Sequence, residues 1–215
     1  TNEFFKDSIS NPVCEDIDGN VYETAQIGDQ LWMAENLRVT HYNDSTLIPA
    51  GTELTHWTDD GYVVYNNDLS NVDVYGNLYN WNAVTDERGI CPAGFHVPSD
   101  EEFSILGSYV GTGNEDGVAF DNGGKLKEIG TEHWLSPNTG ATNETQFTAL
   151  PGGELFMEGW VNTMNFDSMG EYGYYWTKSW NEDEYYNEPD WENPVYYRLS
   201  YQSDNLYRLW DTSYL

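Results

Sequence analysis

The chain predicts an α+β domain of short antiparallel strands, two helices and long irregular loops, and three observations lead there. Residues 21–33 alternate apolar and polar side chains about a glycine turn. Residues 75–110 carry two helical patterns in succession. Beyond Gly111 the sequence breaks into short aromatic runs separated by glycines.

Residues 1–13 lack periodicity and read as an N-terminal arm, and residues 14–215 read as a single domain, a size that one core can serve. Asp18-Gly19-Asn20 makes a turn. Val21 to Ile27 then alternates as a strand, Gly28-Asp29 turns again, and a second strand runs through Leu31 and Met33, a hairpin pattern. From Tyr42 to Val72 the composition is Asn, Asp, Thr, Gly and isolated aromatics, the chemistry of loops. Tyr75, Leu78, Tyr79 and Asn82 fall at helical spacing with Gly89 beyond them, which predicts a helix at about 75–86. A second helix is predicted at 99–110. Ser99 and Glu102 stand at capping-box spacing, Asp100 and Glu101 suit the positive end of the helix dipole, and Phe103, Leu106, Tyr109 and Val110 form the apolar stripe. The segments "GGKLKEIG", "FTALPGGEL", "GYYWTKSW", "VYYRLSYQSD" and "LYRLWDTSYL" read as strands with glycine turns.

Composition narrows the partners. With 37 acidic against 8 basic residues the net charge is −29, which repels nucleic acid and anionic membrane surfaces and favours cations such as calcium. Solubility alone is served by the same charge. No stretch reaches the roughly 20 apolar residues that cross a bilayer, and no signal-peptide pattern precedes Thr1. The hydrophobic fraction is 39%, but 9 Trp, 17 Tyr and 8 Phe supply enough buried area for a core. Two cysteines, Cys14 and Cys91, lack zinc spacing, which leaves one disulfide between them or two buried thiols.

Five segments in order, "DIDGNVYETAQIGDQLWMAENLRV", "YNNDLSNVDVYGNLYNWNAV", "GICPAGFHVPSDEEF", "GGKLKEIGTEHWLSPNTGATNETQFTALPGG" and "YYWTKSW", resemble the Fibrobacter succinogenes major paralogous domain of secreted and surface proteins. The resemblance covers about residues 14 to 210. It implies a C-type lectin-like fold, related also to formylglycine-generating enzymes, and an extracellular or cell-surface location in a Gram-negative bacterium. It transfers no biochemical activity. The family's closing strand, similar to "GFSVRCV", has no counterpart before Leu215, and this leaves Cys14 as the partner that the resemblance implies for Cys91.

Function is expected in the loops. Residues 180–197 place Glu188 and Asp190 among Tyr185, Tyr186 and Trp191, and Glu188-Pro189-Asp190 is similar to the Glu-Pro-Asn triplet of calcium-dependent lectins. Carboxylates there suit calcium, and the aromatic faces suit the C–H face of a sugar. A second acidic group, Asp59, Asp60, Asn67, Asp68 and Asp73, offers oxygen ligands, although Asn-Asn-Asp serves equally as a stack of turns. Trp57 and Trp210 sit in polar surroundings and are expected as exposed contacts, whereas Trp32, Trp81, Trp134, Trp160, Trp176 and Trp180 are expected in the core. The dispersed histidines and the lack of a nucleophile motif argue against an enzyme. The expected function is a non-enzymatic recognition module that binds a glycan or a surface partner with calcium. Its alternatives are a filament or layer subunit completed by strand exchange between copies, and a polysaccharide-active enzyme.

Overall fold

A computed structural model describes residues 11–51, 59–114, 116–158, 163–181 and 193–210. It is a mixed α+β arrangement of small antiparallel sheets and short helices. The N-terminal ladders pair β1 (Cys14–Glu15) with β2 (Val21–Tyr22) and β3 (Thr24–Ile27) with β4 (Gln30–Met33), the hairpin that the alternation predicts. Strand β5 (Tyr62–Val63) pairs with β6 (Leu78–Tyr79). The largest sheet has the order β10-β11-β12-β7, joining Tyr172–Trp180, Pro194–Ser200, Leu206–Trp210 and Ala119–Phe120, while β8 (Glu154–Glu158) and β9 (Thr163–Asp167) form a separate ladder. The helices are α1 (Val72–Tyr75), α2 (Trp81–Thr85) and α3 (Asp100–Val110).

Helix α3 follows its sequence closely. Ser99 and Glu102 close a reciprocal capping box, and Phe103, Leu106 and Val110 are buried against the main sheet. Gly107 sits in the helix interior because a Cβ there would come within 2.6 Å of the Phe120 ring. The sheet is tied to the helix start by Arg208, whose guanidinium donates to both Asp100 oxygens at 2.7 and 2.8 Å, and by Tyr197, whose hydroxyl reaches Asp100 Oδ1 at 2.9 Å. Tyr109 departs from the expected stripe: it is exposed, and its ring lies over Gly28.

The predicted helix at 75–86 is not continuous. Helix α1 stops at Gly76, which has φ of 70° and a position where a Cβ would lie 2.5 Å from the Leu37 carbonyl. Residues Asn77 to Tyr79 are then extended, held by the Asn77 N–H on Leu37 O at 3.0 Å and by the ladder to β5. Asn80 restarts a helix by accepting from the Ala83 N–H. Two caps within five residues thus outweigh the apolar period. Segment "GGKLKEIG" is also corrected, since Gly123–Leu126 is a 3-10 turn rather than a strand.

Two cores result. One joins α3, the first hairpin and the main sheet around Trp134, Phe103, Tyr197 and Leu199; the other gathers Val39, Tyr42, Ile48, Tyr79, Ala83 and Ile90. Lys127 lies wholly buried beside the first core, where its ammonium donates to the carbonyls of Thr139, Ser200 and Ser203 at 2.7, 2.9 and 3.1 Å. The side of β10 away from β11 is occupied by loop contacts: the Gly153 N–H donates to Tyr172 O, the Lys178 N–H to Pro98 O, and the Trp81 indole to Thr177 O.

Candidate functional site: an aromatic-walled cavity

The break at Gly76 has a consequence at the junction of the two cores. Strand β4 with residues 34–37, residues 75–79 around the break, residues 90–98 and 147–155, and strand β10 line a cavity of about 520 Å³. That volume lies within the range of small-ligand sites.

Its walls are interlocked rings. Trp32 packs at 5.1 Å on Phe103 and edge-on at 5.9 Å to Phe147, and Phe147 meets Tyr175 at 5.8 Å. On the other side Tyr196 lies between Trp176, at 5.6 Å, and Tyr174, at 6.0 Å. Both indole N–H groups are committed, Trp176 to Tyr79 O at 2.9 Å and Trp32 to Gln30 Oε1 at 3.3 Å. The rings therefore present mainly apolar faces, fixed in place before any ligand arrives.

Two polar side chains along the lining each keep a buried oxygen without a donor. Asn77 is only 8% exposed; its Nδ2 reaches Val39 O at 3.4 Å and Tyr79 Oη at 3.3 Å, and its Oδ1 is buried with no donor. Glu154 accepts from the Tyr174 hydroxyl at 2.8 Å and from Ser168 at 3.4 Å through Oε1, whereas its buried Oε2 has no donor. Burial raises the Glu154 carboxyl above its ordinary range and the charge of Asp167 adds to this, against the Tyr174 and Ser168 hydrogen bonds and the charge of Arg198. Glu102 behaves oppositely. Burial raises it, but the Ser99 N–H at 2.7 Å and His96 at 2.8 Å outweigh burial and leave it below the ordinary value. Asp29 and Glu35 complete four lining carboxylates, and among the described lining residues there is no lysine or arginine.

The residues singled out from the sequence fall elsewhere. Tyr185, Tyr186, Glu188, Asp190 and Trp191, together with Trp57 and Trp160, lie outside the described residues. Trp210 is exposed, with the Arg208 guanidinium 5.4 Å from its ring. Trp180 is exposed rather than in the core, because β10 carries it past the sheet's packed centre. Asp60 accepts from the Tyr42 hydroxyl and from Arg88 at 2.9 Å, so an arginine already supplies the positive charge that a calcium ion would bring, and the fit there is poor. Asp68 caps a short turn by accepting from the Ser70 N–H and hydroxyl at 3.0 and 2.8 Å. Asn67 adopts a left-handed conformation with φ of 55°, Asp73 stands in the first turn of α1, and the Asp59 carbonyl accepts from Asn80. Among the described residues no three His, Cys, Asp or Glu side chains gather as a metal site.

Cys14 and Cys91 stand without a bond between them, Cys14 buried and Cys91 partly so. Burial raises both; the carboxylates of Glu35 and Asp16 push Cys14 further, and the charge of Cys14 helps to bring Cys91 to about 12.

Sequence reasoning missed Asn77 and Glu154. The signal for Asn77 was the Gly76-Asn77 pair, a helix stop followed by a polar residue; Glu154 follows Gly152-Gly153, where the second glycine has φ of 70° and abuts the Asp167 carbonyl.

No curated protein and no solved structure gives a significant match to the chain. The family model for the Fibrobacter succinogenes major domain matches residues 25–207, a span that takes in the whole lining of the cavity. The chain belongs to the Fibrobacter succinogenes major domain family.

Proposed function

We propose that this domain is a non-enzymatic recognition module with a C-type lectin-like fold, acting outside the cell or on its surface, and that its cavity binds a glycan. One observation carries the reading: a preformed cavity of about 520 Å³ walled by interlocked aromatic rings, with polar side chains set among them. A sugar ring has the complementary surface, apolar on its C–H face and rich in hydroxyl donors at its edge. Calcium remains part of the proposal as an assisting ion, with Glu188 and Asp190 as its expected ligands.

A glycan array probed with the full chain, with and without calcium and followed by titration calorimetry of the hits, tests the reading. Saccharide binding that weakens when Trp176 or Trp32 is replaced by Ala is expected. Binding of no saccharide in either condition would overturn it, and calcium-independent binding would remove the ion.

A further inference from the structure

An antiparallel sheet with one face on the core ordinarily turns polar side chains outward on the other. The main sheet departs from this. Its inner face packs Val195, Tyr197, Leu199 and Leu206 with α3, and the Tyr197 ring stacks on Phe103 at 4.5 Å. Its outer face carries Tyr172, Tyr174, Trp176, Arg198, Tyr207 and Leu209, because Arg198 stands opposite both Tyr174 and Tyr207, and Tyr196 opposite both Trp176 and Leu209. All six are partly exposed.

This face continues the cavity. Tyr174, Trp176 and the Tyr196 between them belong to the cavity lining. From Tyr174 the row of flat groups runs outward: the Tyr172 ring lies 5.9 Å away, and the Arg198 guanidinium lies 4.7 Å from the Tyr172 ring and 5.8 Å from that of Tyr207. Tyr207 is held in turn, its hydroxyl 3.0 Å from Ser203 Oγ and accepting from Asn205 Nδ2 at 3.4 Å. Two strand spacings separate β10 from β12, so the row reaches roughly 10 Å across the sheet from the strand that lines the cavity. Contiguous exposed ring surface of this kind marks a contact site. Continuity with the cavity says what covers it: a chain whose first units sit in the cavity carries its next units over the adjoining face, where a second contact forms without a second loss of translational freedom. The net charge of −29 disfavours an anionic polymer there.

We infer that the outer face of the main sheet is a second subsite, which takes the units of an oligosaccharide that extend out of the cavity. Their C–H faces pack on Tyr172 and Tyr207, and the stacked Arg198 keeps the two rings in one row. The inference rests on the glycan reading and narrows its ligand class to extended chains.

The test is titration calorimetry of the full chain with unbranched homo-oligomers of glucose, xylose, mannose and N-acetylglucosamine, each from disaccharide to hexasaccharide. In a series that binds, the hexasaccharide should bind about tenfold more tightly than the disaccharide, as two added ring contacts allow. Tyr172→Ala and Tyr207→Ala should each cut that gain, a loss confined to the longer chains, whereas Trp176→Ala should weaken short and long chains alike. Comparing lengths on the unaltered protein needs no variant to fold. Equal affinity at every length would overturn the inference and leave the glycan reading standing. So would a gain with length that survives both tyrosine substitutions, or light scattering that shows a dimer of the unliganded chain abolished by Tyr207→Ala, which would assign the face to a second copy. Failure of every saccharide would sink both.

Discussion

Lys127 shows how a single buried residue sets behaviour in solution. Burial pushes its ammonium down to about 8, with the charge of Asp204 pulling the other way, while three carbonyls accept its hydrogen bonds. The unfolded chain keeps this proton up to an ordinary value of 10.5, and the folded chain releases it from about 8. Between those values the unfolded state binds more protons, so the Lys127 contribution makes folding stability rise with pH across that window. Lys127→Met should remove the rise. It should also cost about 3 kcal/mol or more, because three buried carbonyls lose their donor. Urea unfolding of both chains, stepped through the window, checks this, and parallel pH curves would contradict it. The residues of the cavity follow the same logic of satisfaction. Among the described residues four buried side-chain atoms have no partner, Asn77 Oδ1, Asn138 Oδ1, Glu154 Oε2 and Arg198 Nε, and two of these belong to residues that line the cavity.

At the level of elements, α3 gives the sharpest sign test. On intrinsic propensity Gly107→Ala should stabilise a helix interior by about 1 kcal/mol. The added methyl would instead meet the Phe120 ring at 2.6 Å, and overpacking of this kind costs about 1–3 kcal/mol. Net destabilisation is therefore expected in urea or thermal unfolding; a gain would mean that Phe120 moves aside freely. This helix was legible in the sequence because its determinants are local: Ser99, Glu102 and the Phe103, Leu106, Val110 stripe all act within four turns. The stretch at 75–86 was not, because its period competes with a long-range contact, the close approach of Gly76 to Leu37, that no local pattern records. The cavity was illegible for the same reason. Its lining comes from stretches between Asp29 and Tyr196, and the acidic, aromatic segments that drew attention in the sequence do so by composition, which says nothing of what converges in space. The Asn-Asn-Asp run illustrates the point: Asn67 and Asp68 serve a left-handed turn and its cap.

For the whole molecule the governing quantity is charge. A net charge of −29 on 215 residues makes self-repulsion a term against folding, which salt screens. Raising sodium chloride from about 0.01 to 1 M should lift the thermal midpoint of the chain. A flat midpoint would show that the local pairs, such as Asp100 with Arg208 and Asp60 with Arg88, already balance the field. The same field and the same rigid frame of rings and ladders underlie the recognition reading, in which a fixed cavity meets its ligand without rearrangement. A crystal structure grown with a saturating oligosaccharide tests that claim most directly. The account predicts saccharide density inside the cavity, with a ring face against Trp32 or Trp176. Density bound only elsewhere on the domain, with the cavity free of sugar, would contradict it.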